Sequence, residues 1–312
     1  MAKKDISMNS VFQDQMLQNE FDEKGYVIFD LLNENEVNSV VEHIKSVELP
    51  DHKGYGFNIA MDNEDISLRK NVYNFLTQLM SEKIHKTLVN RKPFSTSYMI
   101  KEPGSGLVPA HQDWSYTDEK TDPSIMCWVA LENTDVDNGA MGFIPGSHHF
   151  FDYKRVFPFP YAKTPVELHK LPLMPYLKIE PMKAGQIVFF NNKTIHGSFP
   201  NFTQSRRLAF CMSFRVSNKP IHHYQFFDRN NLTHIGQYHV KEDFFVKYNN
   251  AMLVDILEKN DGEFEEYEVI DKQPFQLPKL NWEEWETLLH EHGVEKNTTL
   301  QHTLDKFLSQ NS

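Results

Sequence analysis

Three short stretches of this 312-residue chain carry side chains that could work on one ion. In Val108-Pro-Ala-His-Gln-Asp-Trp-Ser-Tyr116, His111 and Asp113 stand two residues apart. On an extended strand, positions i and i+2 share a face, so an imidazole and a carboxylate would sit close enough to chelate. With 15 histidines in the chain, His-x-Asp alone says little. The second stretch, Phe189-Phe-Asn-Asn-Lys-Thr-Ile-His196, reads as an apolar strand ending in a histidine, followed by Gly197-Ser198. Arg207 opens a third, Arg-Leu-Ala-Phe-Cys-Met-Ser-Phe214. If these two strands pair across the loop 197–206, Arg207 comes beside an ion held by His196. Two imidazoles and one carboxylate cover one face of a ferrous ion and leave three positions for ligands and O₂. A 2-oxo acid can chelate two of them, and its far carboxylate then needs a two-pronged cation, which guanidinium geometry supplies. Arg206 competes for that role. Strand alternation favours Arg207, because it shares a small-residue face with Ala209, Cys211 and Ser213, opposite the bulky Leu208, Phe210, Met212 and Phe214.

These residues need a rigid β scaffold to meet, and the chain supplies the signs of one. Short apolar runs at Ser95–Ile100, Ile125–Leu131, Met141–Ile144, Gln186–Phe190 and Arg207–Val216 are separated by turn-forming pairs such as Pro103-Gly104, Asn138-Gly139, Pro145-Gly146 and Ala184-Gly185. That pattern predicts an all-β sandwich or barrel. Before it, Asn33-Glu-Asn-Glu36 opens a helix with Val37, Val40, Val41 and Ile44 on one face, and a longer helix is predicted around Leu68–Val89. Beyond Lys219 the chain reads as helical and charged, with Trp282, Trp285, Leu288 and Leu289 fit to dock one helix. The expectation is one mainly-β unit over 1–312: a helical flank 1–93, a β core 94–218 and an acidic helical extension 219–312.

The set His111-x-Asp113, Asn138-Gly-Ala-Met-Gly-Phe-Ile-Pro-Gly-Ser-His148, His196-Gly-Ser198 and Arg207, in this order, resembles the phytanoyl-CoA dioxygenase family of iron(II)/2-oxoglutarate oxygenases over roughly residues 20–218. The resemblance implies a double-stranded β-helix core of jelly-roll, cupin-like type with Fe(II) on His111, Asp113 and His196. It implies that Arg207 and Ser198 hold 2-oxoglutarate, with Trp128 nearby and a further contact from the Thr96/Tyr98 region. The implied reaction converts 2-oxoglutarate and O₂ to succinate and CO₂ while hydroxylating a substrate C–H bond; the same chemistry also serves desaturation, epoxidation and ring formation. Related halogenases replace the iron-binding carboxylate with a small residue, and Asp113 is present here. Trp114 and Tyr116 are candidates to face the substrate, as are Phe57 and Asn58 in a polar loop that also carries Tyr55. Variation between relatives is expected there, at Thr117–Asp122 and after Pro145. His148 and His149 read as structural or surface groups, and His222 and His223 as surface groups rather than substrate contacts.

Composition narrows the alternatives. Twenty-four Phe, 12 Tyr and 4 Trp exclude a disordered chain, and a net charge of −11 argues against a nucleic-acid partner. No apolar run is long enough for a membrane span, and the start Met-Ala-Lys-Lys-Asp lacks a signal core. A cytoplasmic protein acting on a small molecule is expected: a metabolite, amino acid or natural-product intermediate. Ser309-Gln-Asn-Ser312 is not a peroxisomal ending, so phytanoyl-CoA itself is not the expected substrate. Cys127 and Cys211 read as buried thiols. The competing function is a non-catalytic metal-binding cupin-like protein or binding module, which would not need Arg207.

Overall fold

Period-two alternation sorts each long strand into a face that packs under helices and a face that looks across to a second sheet. In a computed structural model describing residues 10–47, 49, 58–157, 163–228, 230–259 and 267–311, the chain runs α1 (Gln15–Lys24), β1 (Tyr26–Asp30), α2 (Glu34–Ser46), β2 (Asn58–Ile59), α3 (Ile66–Thr87), β3 (Arg91–Lys101), β4 (Val108–His111), β5 (Ile125–Ala130) and β6 (Met141–Phe143). It continues through α4 (Pro165–Leu168), β7 (Lys178–Ile179), β8 (Gln186–Asn191), β9 (His196–Ser198), β10 (Arg207–Val216), β11 (Ile221–Asp228) and β12 (Asn231–Val240). Last come α5 (Phe244–Lys247), α6 (Asn250–Lys259), β13 (Val269–Pro274), α7 (Trp282–Glu291) and α8 (Thr298–Asn311).

A six-stranded sheet in the order β1-β8-β5-β10-β3-β2 lies against a four-stranded sheet, β4-β9-β6-β7. All pairings in both are antiparallel. Between the sheets, Trp128, Val188, Phe190, Ala209 and Cys211 of the larger meet Met141 and Phe143 of the smaller in one apolar cluster. On the outer face of the larger sheet, Phe210, Met212, Phe214 and Phe189 pack against Val37, Val40 and Ile44 of α2 and Val72, Leu76 and Met80 of α3. The Asn33 side chain accepts from Glu36 N while Glu36 answers to Asn33 N, a capping box that starts α2 where the sequence places it. On the far side, Trp285 and Leu289 of α7 and Leu300 and Leu304 of α8 cover Ile144, Ile195 and Phe199.

The region after Lys219 departs from expectation. It contains helices, but also a three-stranded antiparallel sheet, β11-β12-β13. Its strands are built on His, Tyr, Phe and Gln rather than on aliphatic residues, so the usual apolar alternation is muted. His222 and His223 are correspondingly buried inside β11, not on the surface. The thiols of Cys127 and Cys211 are both buried and free. They sit on opposite faces of the larger sheet, Cys127 in the cluster under the helices and Cys211 in the cluster between the sheets.

Candidate active site

β4 and β9 pair so that His111 and His196 are direct neighbours across the ladder, with ring centroids 4.2 Å apart. The close approach depends on Gly197: a Cβ there would stand 2.8 Å from Val108 O and 3.2 Å from Ala110 N. β4 ends at His111, and Asp113 follows in irregular chain, its N–H donating to Asn192 O at 2.9 Å. The apolar run around Phe189 therefore does not end in His196. It breaks at Asn191, and His196 opens a separate strand in the other sheet. Arg207 consequently faces His196 across the sandwich and not from a neighbouring strand.

Each imidazole is fixed from behind by a carbonyl two residues back. His111 Nδ1 donates to Pro109 O and His196 Nδ1 to Thr194 O, both at 2.9 Å. A carbonyl can only accept, so both rings carry the proton on Nδ1 and present a bare Nε2. Those two Nε2 atoms lie 3.8 Å from Asp113 Oδ1 and 3.8 Å from Asp113 Oδ2 respectively. Among the described residues this is the one group whose ligand atoms could hold a metal ion, all within 4.8 Å of one another. Burial, with His111 alongside, pushes His196 well below the usual imidazole range, so it is neutral and available to a metal. Burial raises the Asp113 carboxyl, against the pull of His111 and Arg155, and its Oδ2 is buried with no hydrogen-bond partner. An acceptor in that condition fits a cation.

A cavity of about 170 Å³ opens beside the triad, walled by Met61, Met99, Met126, Met141, Trp114 and Phe190. Two buried cations close its inner end. Arg207 and Lys101 are register partners on β10 and β3. Arg207 Nε and Nη1 are buried without hydrogen-bond partners, and the guanidinium stands 5.0 Å from the Trp128 ring centroid. Lys101 Nζ donates to Ser198 Oγ at 2.7 Å and to Phe199 O at 2.6 Å. Burial first, then Arg207, drives Lys101 well below the ordinary lysine value, and burial lowers Arg207 to about 10. A guanidinium and a lysine amine in one dry place, with donors to spare, fit a carboxylate-bearing ligand.

Sequence reasoning missed Lys101. Its signal lies in the motif Asn138-Gly139: Gly139 has φ 79°, and a Cβ there would stand 2.6 Å from Phe199 O and 2.9 Å from Lys101 Nζ. The bare glycine makes room for the ammonium. Thr96 and Tyr98 are corrections. They share the other face of β3, where the Tyr98 hydroxyl bonds His43 Nδ1 at 2.6 Å beneath the helices; Met99 and Lys101 face the cavity instead. Arg206 is exposed and donates to Glu102 Oε2 at 2.9 Å. Trp114, Tyr116, Trp128 and Ser198 line the cavity. Asn58 does not, its Nδ2 donating to Glu102 at 3.2 Å, while its neighbour Ile59 does. Phe57 and Tyr55 lie outside the described residues. None of Thr117–Asp122 lines the cavity, and Asp122 is held in a buried ion pair to Arg91. His148 and His149 turn their Nε2 atoms to Asp22 O, 3.2 Å from each.

The fold is shared with solved structures. HygX from Streptomyces hygroscopicus, crystallised with nickel, 2-oxoglutarate and hygromycin B, superposes with a TM-score of 0.51 at 15% identity, covering 66% of this chain and 88% of that one. In sequence, the chain is 27% identical over 226 residues to a probable alpha-ketoglutarate-dependent hypophosphite dioxygenase of Stutzerimonas stutzeri, covering 64% of this chain and 78% of the relative. It is 32% identical over 133 residues to phytanoyl-CoA dioxygenase of Arabidopsis thaliana, covering 39% of this chain and 44% of the relative. The bovine peroxisomal phytanoyl-CoA dioxygenase is 29% identical over 153 residues, with 40% of its length matched. The phytanoyl-CoA dioxygenase family model matches residues 21–209, taking in β1 through the start of β10 and with them every residue of the triad and both buried cations. The chain therefore belongs to the phytanoyl-CoA dioxygenase family of iron(II)- and 2-oxoglutarate-dependent dioxygenases, built on a double-stranded β-helix.

Proposed function

We propose that the chain hydroxylates an unactivated C–H bond of a small metabolite, amino acid or natural-product intermediate, with His111, Asp113 and His196 holding Fe(II) and Arg207, Lys101 and Ser198 holding the far carboxylate of 2-oxoglutarate. One observation carries this reading: a metal-sized triad, a buried guanidinium with two unpartnered nitrogens, and the buried Lys101 amine open on the same cavity. When bound, iron with 2-oxoglutarate and O₂ supplies the oxidising power. The residues do the positioning. The Nδ1–H···O=C bonds keep both imidazoles aimed and raise their basicity. The Arg207 fork and the Lys101 ammonium neutralise and orient the organic acid, while Trp128 supports the guanidinium. The methionine and aromatic walls exclude water and present an uncharged surface to the substrate carbon. Helices from both flanks pack on the two sheets, which supports 1–93, 94–218 and 219–312 acting as one oxygenase unit. A non-catalytic cupin-like protein is not favoured, since it gives two buried cations nothing to bind.

The test is anaerobic titration of the apoprotein with Fe(II) and 2-oxoglutarate, followed by O₂ and succinate assay with metabolite pools. Wild type should show the visible charge-transfer band of a chelated 2-oxo acid and form succinate. Asp113→Ala should do neither. Equal succinate from both proteins would end the proposal.

A further inference from the structure

We infer that Arg155, paired with Glu119, is a positioning residue that sets Asp113 for the metal; the inference rests on the proposed triad. Strand pairing cannot do this job, because β4 stops at His111 and Asp113 lies two residues beyond it. The Asp113 peptide has two anchors. Its N–H goes to Asn192 O at 2.9 Å, and its carbonyl accepts from Arg155 Nε at 2.6 Å. Arg155 is only 2% exposed, and its guanidinium also bonds the Glu119 carboxylate through Nη2 and Tyr153 O through Nη1 at 3.3 Å. The Glu119 carboxylate in turn accepts from Ser115 Oγ at 3.0 Å. Ser115 N donates to Arg155 O at 2.9 Å, Arg155 N donates to Ser115 Oγ at 3.1 Å, and Tyr153 OH donates to Gln112 Oε1 at 2.7 Å.

Segment 112–119 is thus clasped by segment 153–155 in place of a ladder. A buried guanidinium is costly unless its charge is met, and Glu119 meets it. Arginine suits the place because one planar fork reaches three acceptors at residues 113, 119 and 153, which an ammonium cannot do with fixed geometry. The carboxylate of Asp113 must face two imidazole nitrogens at once, so a rotation of its peptide moves it off the metal. Partners that orient metal ligands typically contribute roughly 10–100-fold in metal affinity.

The experiment is anaerobic Co(II) titration of the full-length apoprotein, read by visible d–d absorption, with the melting temperature of each apoprotein measured alongside. Arg155→Met should bind Co(II) at least about tenfold more weakly while folded, and Arg155→Lys should recover part of the loss. A packing role alone would lower the melting temperature and leave Co(II) affinity within twofold of wild type, and that result would overturn the inference. If Arg155→Met does not fold, Glu119→Gln decides by the same criterion, since it keeps the guanidinium and removes its counter-charge. Asp113→Ala separates the two ideas. Wild-type Co(II) binding in that variant would remove the triad itself, whereas weak binding there with normal binding in the Arg155 and Glu119 variants would remove only the clasp.

Discussion

Arg207 and Lys101 approach one point from adjacent strands, so losing either leaves the other to hold a carboxylate alone. Buried charge-assisted hydrogen bonds are worth roughly 1.5–3 kcal/mol each, so Arg207→Lys and Lys101→Met should each raise the 2-oxoglutarate KM about tenfold or more. Arg206→Ala should leave it within twofold, because that side chain is exposed on Glu102. Steady-state kinetics at saturating iron would check all three. A second residue-scale effect concerns His223, which burial pushes down to about 4 from 6.5. Above pH 6.5 the imidazole is neutral folded and unfolded alike. As pH falls from 6.5 towards 4 the unfolded chain takes up a proton that the fold refuses, and stability drops by about 3 kcal/mol at most. His148 and His222 are pushed the same way, also to about 4. Denaturant midpoints measured between pH 7 and 4.5 should therefore fall less steeply for His223→Gln than for wild type. The triad was legible because chemistry fixes its residue types, and Arg207 because alternation separates it from Arg206. Lys101 was not: a lysine closing a strand looks like a solvated edge until Gly139 and Ser198, from distant sequence, are seen to enclose it.

β4 and β9 are a short pair, of four and three residues, yet they carry both histidines. Their spacing is set by the missing side chain at 197. Gly197→Ala should force the strands apart, lowering the melting temperature and weakening Co(II) binding together, both measurable on the apoprotein. By contrast, Asn33→Ala removes the α2 cap on the far face of the larger sheet. It should cost about 1 kcal/mol in chemical denaturation and leave the cosubstrate KM unchanged. Long strands such as β10 were readable residue by residue, since ten positions give alternation room to show. The three-residue β9 gives none. Asn191 and Asn192 look like an interruption only after one knows that Asn192 O is needed to receive the Asp113 N–H.

Across the whole molecule, each sheet is backed by its own helices, and Trp285 is the largest side chain sealing the smaller sheet. Trp285→Ala should destabilise by about 3–5 kcal/mol in urea unfolding, since the Phe150, Phe151 and His169 rings packed around it cannot refill the cavity it leaves. The docking of that helix was legible from its Trp and Leu spacing. The sheet β11-β12-β13 was not, because aromatic and histidine-rich strands hide the apolar alternation that marks a half-buried sheet. Two basic groups held apart from water at the inner end of the pocket have a thermodynamic effect beyond turnover. Apoprotein must tolerate either their mutual repulsion or a missing proton, and an arriving dianion relieves both. Heat resistance should thus climb with 2-oxoglutarate concentration by simple mass action. Phosphate or sulfate in a storage buffer would occupy the same seat, masking the gain and competing with the true cosubstrate.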